Sequence, residues 1–81
     1  MVIDSSNNHI VVVKFDDVGN KVLHCEISDW KPSLKKHLNN LLTRLGTCYT
    51  TVDNDNSLHF NLNLGASIVG TQDNYTILRY N

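Results

Sequence analysis

The sequence predicts an α+β fold in which one antiparallel five-stranded sheet carries a single helix packed on one face. Three observations support this prediction. Leucines recur at helical spacing between residues 34 and 45, β-branched or alternating segments lie on both sides, and short stretches rich in Asn, Asp and Gly separate these segments. The predicted order is strand, strand, helix, strand, strand, strand, or ββαβββ.

The first two predicted strands form a hairpin. His9–Phe15 is a β-branched run that is apolar on both faces, which is typical of a central strand. Asp16–Asn20 has the composition of a turn, and Lys21–Ser28 then alternates between apolar and polar residues. We expect these two strands to pair across the turn.

One helix is predicted to run through its first-turn proline, Pro32, to Leu45. Proline is tolerated there because its missing N–H is not needed, and Asp29 or Lys31 can cap the helix. Gly46 supplies a left-handed residue that ends it. Six apolar side chains fall within a sector roughly 120° wide, which suits a helix lying on a sheet. They are Trp30, Leu34, Leu38, Leu41, Leu42 and Leu45.

Three further strands are predicted after the helix. Thr47–Asp53 is rich in Thr, Tyr and Val, and Asp53–Asn56 is a turn by composition. Leu58–Leu64 alternates strictly between apolar and polar residues, which predicts a strand with one solvated face. Gly65–Asn74 is expected to be a long connection, and Tyr75–Tyr80 a final strand.

The predicted spatial order of the strands, numbered along the sequence, is 2-1-5-4-3, because the doubly apolar first strand belongs inside the sheet and the last strand returns beside it. Residues 1–8 are expected to form a flexible polar arm, and residues 9–81 a single α+β domain. The element order resembles, in topology only, a profilin-like or longin-like sheet without its terminal helix, and it implies no activity. This order places Cys25 and Cys48 on opposite edges, so no disulfide is expected.

Composition excludes several classes of protein. Seven Lys and Arg against eight Asp and Glu leave no overall positive field for nucleic acid or anionic lipid. The first residues do not resemble a signal peptide, and no apolar run reaches the length of about 18 residues that a membrane helix needs. Two cysteines without Cys-x-x-Cys spacing favour a reducing compartment. We therefore expect a cytoplasmic protein that does not cross a membrane.

No catalytic, cofactor-binding or metal-binding residue is predicted. The four histidines are His9, His24, His37 and His59. No two of them lie at the i, i+4 offset of a helical metal site, and no Cys-x-x-Cys pair supports them. Cys25 is expected to face the core as a small apolar side chain, and not to act as a nucleophile. Gly65–Thr71 has the glycine spacing of a phosphate-binding loop but lacks its lysine.

Apolar surface on the sheet face opposite the helix is the strongest indication of a partner, because a single helix can cover only one face. On the first strand the uncovered set is either Ile10 and Val12 or Val11, Val13 and Phe15. On the last strand it is either Tyr75 and Ile77 or Leu78 and Tyr80. The candidate partner-binding residues chosen from these alternatives are Ile10, Val12, Phe15, Tyr75, Ile77 and Tyr80.

These observations favour a small non-enzymatic protein-binding module that modulates or inhibits a larger host protein complex. The open sheet face would serve either to capture that protein or to form a homodimer. Eleven Asn and five Ile against one Ala, one Glu and one Pro are the residues that AT-rich codons favour, which indicates a phage or mobile element. The alternative is a nucleic-acid-binding accessory protein that uses basic residues of the helix. Those residues are Lys31, Lys35, Lys36 and Arg44. An enzyme, the third class, would need a pocket that gathers His with Asp or Cys.

Overall fold

The computed structural model describes residues 1–81 and contains six strands and two helices. In chain order the elements are β1 (Val2–Ser5), β2 (His9–Phe15), β3 (Lys21–Ile27), α1 (Pro32–Leu45), β4 (Cys48–Val52), α2 (Asp55–Asn63), β5 (Ser67–Gln72) and β6 (Tyr75–Tyr80). The α+β class is confirmed, whereas the predicted five antiparallel strands with one helix are not.

The strands form one mixed sheet in the order β1-β2-β3-β4-β6-β5. The predicted hairpin of β2 and β3 is present, with Val11 opposite Cys25 and Val13 opposite Leu23. The predicted order 2-1-5-4-3 is wrong, because β4 joins β3 in parallel and β6 pairs with β4 instead of β2. A parallel pair needs a crossover connection, and the 14-residue helix α1 provides one of sufficient length.

Helix α1 forms where the leucine spacing predicts it. Pro32 occupies the first turn and Gly46, with φ of 75°, ends the helix. Lys31 is the N-cap residue, and its side chain makes no capping hydrogen bond. At the other end, the Asn81 amide donates to the carbonyls of Leu42 and Gly46 at 2.9 and 3.0 Å. These bonds satisfy carbonyl groups that the last helical turn leaves without a partner.

Helix α2 replaces the strand that period-two alternation predicts over Leu58–Leu64. The Asn54 side chain accepts from the Ser57 N–H at 2.8 Å, which is a helix N-cap, and Asp55 favours the positive end of the helix. Residues 55–64 contain no Val, Ile or Thr, so the segment lacks the β-branched residues of a strand. The capping signal and the leucine content therefore prevail over the alternation.

The two ends of the sheet also differ from the sequence expectation. Gly65–Asn74 is not a plain connection, because it contains β5, which forms a hairpin with β6 across a turn where Asp73 has φ of 54°. Within the expected N-terminal arm, β1 pairs antiparallel with β2, and its register shifts between Val2 and Asp4. Both segments add an edge strand that their short, irregular patterns do not reveal.

The core lies between the two helices and one face of the sheet. Its most buried members from α1 are Leu34, Leu38 and Leu42. The sheet contributes Val11, Val13, Leu23, Cys48, Val52, Leu78 and Tyr80, and α2 adds partly buried side chains at Leu58 and Phe60. Both helices therefore cover the same face, which we call the helix-covered face.

The cysteines are free, but not for the predicted reason. Cys25 and Cys48 lie on β3 and β4, which are neighbours in the sheet and not opposite edges. The parallel seam between these strands has one registered pair, Val22 with Tyr49. The buried Thr50 hydroxyl adds a bond across it by donating to the Leu23 carbonyl at 2.9 Å.

Neither helix is both long and apolar enough to cross a membrane.

Replacing Leu38 with Ala tests the core. Leu38 is 3% exposed, so we expect Leu38→Ala to lower the free energy of unfolding by about 2–5 kcal/mol. The matched control is Leu62→Ala on α2, where the side chain is 37% exposed and the expected loss is about 1 kcal/mol or less. Chemical denaturation followed by circular dichroism measures both. Equal losses of unfolding free energy in the two variants would contradict the burial of Leu38.

Candidate functional site

The sheet face turned away from both helices is uncovered, and we call it the open face. The strand register defines its members: Val12 lies opposite Val2 on β1, and Val22 lies beside Tyr49 on β4. Its apolar side chains are Val2, Ile10, Val12, Val22, Tyr49, Tyr75 and Ile77. None of these seven is buried, whereas their neighbours along each strand are mostly core residues. The open face thus has no covering layer, as expected from helices that lie on one side, and its apolar side chains alternate with polar ones such as His24 and Thr51.

The predicted partner-binding residues divide between the two faces. Ile10, Val12 and Ile77 are half-buried on the open face, and Tyr75 is 48% exposed there. Phe15 is 61% exposed but lies at the end of β2, in register with Lys21, on the side of the helices. The remaining candidate, Tyr80, lies in the core.

Tyr80 is 2% exposed, so it does not contribute to the open face. Its hydroxyl donates to the Asn61 side-chain oxygen at 2.5 Å, which ties β6 to α2. Burial raises the pKa of this hydroxyl far above its usual value. Val22 and Tyr49 were not among the residues that the sequence predicted for partner binding. The alternation of β3 does place Val22 on the same side as His24, away from the core.

Charged side chains of both signs lie among the apolar residues of the open face, since His24 pairs with Val12 and Glu26 pairs with Ile10. Lys14 and Arg79 are exposed on β2 and β6, and His24 lies 3.4 Å from Glu26 on β3. Interfaces between proteins that also exist separately combine apolar and polar side chains in this way. This arrangement differs from the one-signed surface that nucleic acid requires.

The basic residues of α1 do not form a single stripe. Lys31, Lys35, Lys36 and Arg44 are all exposed. At about 100° per residue they spread over roughly 220° of the helix circumference, so one nucleic-acid backbone cannot contact all four. Lys31 also lies 3.8 Å from the carboxylate of Asp29.

A second cluster of polar groups lies at the β1 edge, where Asp4, His9 and His37 meet. Asp4 comes from β1, His9 begins β2, and His37 lies in the second turn of α1. One oxygen of Asp4, Oδ2, is 2.5 Å from His9 Nε2 and 2.7 Å from His37 Nε2. The side chains of His9, Asp4 and His37 are 5%, 23% and 46% exposed, so the cluster passes from the interior to the surface.

Hydrogen bonds, burial and the charges of the two histidines together shift the pKa of Asp4. The hydrogen bond with His9 lowers it most, burial acts in the opposite direction, and the hydrogen bond with His37 lowers it further. The net result is a pKa below the usual value, so Asp4 is a carboxylate at neutral pH.

The ring of His9 is oriented by two neighbours in the β1–β2 turn. Its Nδ1 lies 2.8 Å from Asn8 Oδ1 and 2.9 Å from Ser6 Oγ. Ser6 Oγ is 2.5 Å from Asn8 Oδ1, which is the range of an O–H···O bond, so the Ser6 proton is directed to Asn8. Both oxygens therefore accept from His9 Nδ1–H, and Ser6 does not pass its proton to His9 as a nucleophile would.

The two thiols are not activated either. Burial raises the pKa of Cys25 to about 11, and Asp4 and Glu26 raise it further by charge repulsion. Burial also raises the pKa of Cys48, which is fully buried. Nucleophilic cysteines need the opposite shift, toward the thiolate.

An apolar groove lies between the end of β3 and α2. Trp30 packs edge-on against Phe60, with ring centroids 5.3 Å apart. The groove, about 300 Å³ in volume, is lined by Ile27, Trp30, Asn56, Ser57 and Phe60. No lining side chain is ionisable, so this groove offers no acid or base.

No protein-family model, curated protein or solved structure matches this chain.

Thiol labelling tests the state of the cysteines. At pH 8 a thiol with a pKa of about 11 is ionised roughly 100-fold less than an ordinary cysteine, so we expect Cys25 to react with Ellman's reagent at least 100-fold more slowly. The Cys48→Ser variant isolates Cys25, and the same protein unfolded in guanidinium gives the reference rate. Rapid labelling of folded protein would contradict the burial of Cys25.

Proposed function

We propose that this protein is a small non-enzymatic protein-binding module and that the open face is its contact surface. The observation that carries the proposal is the apolar surface of Ile10, Val12, Val22, Tyr49 and Ile77, which neither helix covers. These side chains are half-buried, and covering them with a partner removes their remaining apolar surface from water, which favours association.

The dimensions of the molecule suit such an interface. Its three extents are 32, 26 and 18 Å. A side bounded by the two longer extents is comparable in area with the roughly 800 Å² that each partner buries in an interface of standard size. Apolar burial contributes about 25 cal/mol per Å² to association.

The partner that fits the open face is a protein whose surface combines apolar side chains with charges of both signs. Lys14, Glu26 and Arg79 supply the charged groups on this side, and these set orientation more than affinity. The Asn-rich and Ile-rich composition supports a phage or mobile-element origin. In that setting the module binds a host protein complex in the cytoplasm and modulates or inhibits it.

Charge substitution on the open face tests this function. Wild-type, Val12→Glu and Leu62→Glu proteins serve as baits in extracts of the source cells, and mass spectrometry identifies what each retains. Val12 lies on the open face, whereas Leu62 lies on α2. We expect a partner protein that wild type and Leu62→Glu retain and that Val12→Glu does not. The reason is that the introduced carboxylate would be buried without a partner charge in the interface, which opposes association. If Val12→Glu does not fold, Ile77→Thr replaces it as the open-face variant, because it keeps a β-branched residue in the strand while making the surface more polar.

Sedimentation over a wide concentration range tests the homodimer. Self-association that Val12→Glu abolishes would assign the open face to a second copy and exclude a different partner there. A strict monomer whose baits retain the same proteins would refute the proposed function.

The nucleic-acid alternative predicts retention on heparin that weakens steeply with salt and is lost in a Lys35→Glu, Lys36→Glu double variant. We expect no such retention, because the basic residues point in different directions around α1.

A further inference from the structure

Three metal-ligating atoms converge at the β1 edge, on the helix-covered side of the sheet and away from the open face. Asp4 Oδ2, His9 Nε2 and His37 Nε2 all lie within 4.8 Å of one another. Ligands about 2.0–2.2 Å from a tetrahedral zinc ion lie roughly 3.3 Å apart, so small rotations of these side chains suffice to surround an ion.

The hydrogen bonds of His9 direct its Nε2 at Asp4. Because Asn8 Oδ1 and Ser6 Oγ both accept from His9 Nδ1–H, a neutral His9 directs the lone pair of Nε2 at the Asp4 carboxylate. His9 Nε2 lies 2.5 Å from Asp4 Oδ2, so both atoms face the position that a shared metal ion would occupy. His37 Nε2 meets the same carboxylate oxygen and can bind the same cation.

From this geometry we infer that Asp4, His9 and His37 form a binding site for a divalent transition-metal ion, with zinc as the representative. Two imidazoles and one carboxylate are ligands that zinc accepts, and they also suit other first-row divalent ions. Magnesium and calcium prefer oxygen ligands and are disfavoured here.

The surroundings of His9 resemble those of histidines at known metal sites in one physical respect. Ligating histidines commonly donate their second N–H to a neighbouring acceptor, which fixes the tautomer and directs the other nitrogen at the metal. Asn8 and Ser6 do this for His9, whose side chain is 5% exposed and held in place.

The site is open on one side. His37 is 46% exposed, and a shallow depression next to the cluster is lined by Ser5, Ser6 and Ser33. Three protein ligands leave a fourth tetrahedral position, which water fills. A bound ion would join β1 to α1, which the Asp4–His37 hydrogen bond already connects. The two elements are distant in sequence, since Pro32, the first residue of α1, follows Asp4 by 28 residues.

Calorimetric titration with zinc tests the inference. Protein stripped with a chelator and dialysed is expected to bind one zinc ion per chain, and to show no binding of magnesium. His37→Ala removes one exposed ligand and should weaken zinc binding at least tenfold. The matched control is His59→Ala, an exposed histidine on α2 that should bind zinc as the wild type does.

Hydrogen exchange provides a second readout, independent of the heat signal. Zinc should slow exchange of the β1 amides in wild type and in His59→Ala, but not in His37→Ala, because the ion restrains the edge strand. Asp4→Asn should behave as His37→Ala does. Absence of zinc binding by wild type would overturn the inference. Binding unchanged in His37→Ala, or lost equally in His59→Ala, would also overturn it, because the ligands would then lie elsewhere.

Discussion

The architecture depends on the contact between the leucine stripe of α1 and one face of the sheet. Leu34, Leu38 and Leu42 are almost fully buried against β-strand residues such as Val11 and Leu78. Because α1 also connects β3 to β4, the same helix fixes the parallel pairing at the centre of the sheet. Helix α2 joins it on that side, so the whole opposite face remains without a covering layer.

The sequence predicts those elements whose periodicity agrees with their local signals. In α1 the leucine spacing, the first-turn Pro32 and the terminal Gly46 all favour a helix, and the helix has the expected bounds. In α2 the signals disagree, since alternation favours a strand while the Asn54 cap and the absence of β-branched residues favour a helix. Strand β1 has only four residues, and both β1 and β5 contain a register shift, so neither shows the regular alternation of a strand.

The strand order was beyond the reach of sequence patterns for a different reason. Pairing of β4 with β3 and of β6 with β4 depends on which neighbours bury the most apolar surface in three dimensions. The open face itself was predictable, because it requires only that helices lie on one side. The alternation of the last strand did not show which of its two sets of residues belongs to the open face. Tyr80 was assigned to that face, but it is a core residue.

The Asp4–His9–His37 cluster illustrates a limit of spacing rules for sites. Those rules look for ligands within one element, whereas here each of three elements contributes one residue. The strand that carries Asp4 was itself not predicted, so no reading of the histidines alone could assemble the group. The only local signal is the Ser6–Asn8 turn, whose oxygens orient the His9 ring.

The two outermost strands determine how copies of this molecule can assemble. β1 has four residues and an irregular register, and β5 is interrupted between Ile68 and Gly70, so neither edge presents a long regular ladder of free backbone groups. End-to-end sheet extension, which can propagate without limit into fibres, is therefore disfavoured. Association through a flat side is self-limiting, because two molecules placed back to back occlude the surface that brought them together.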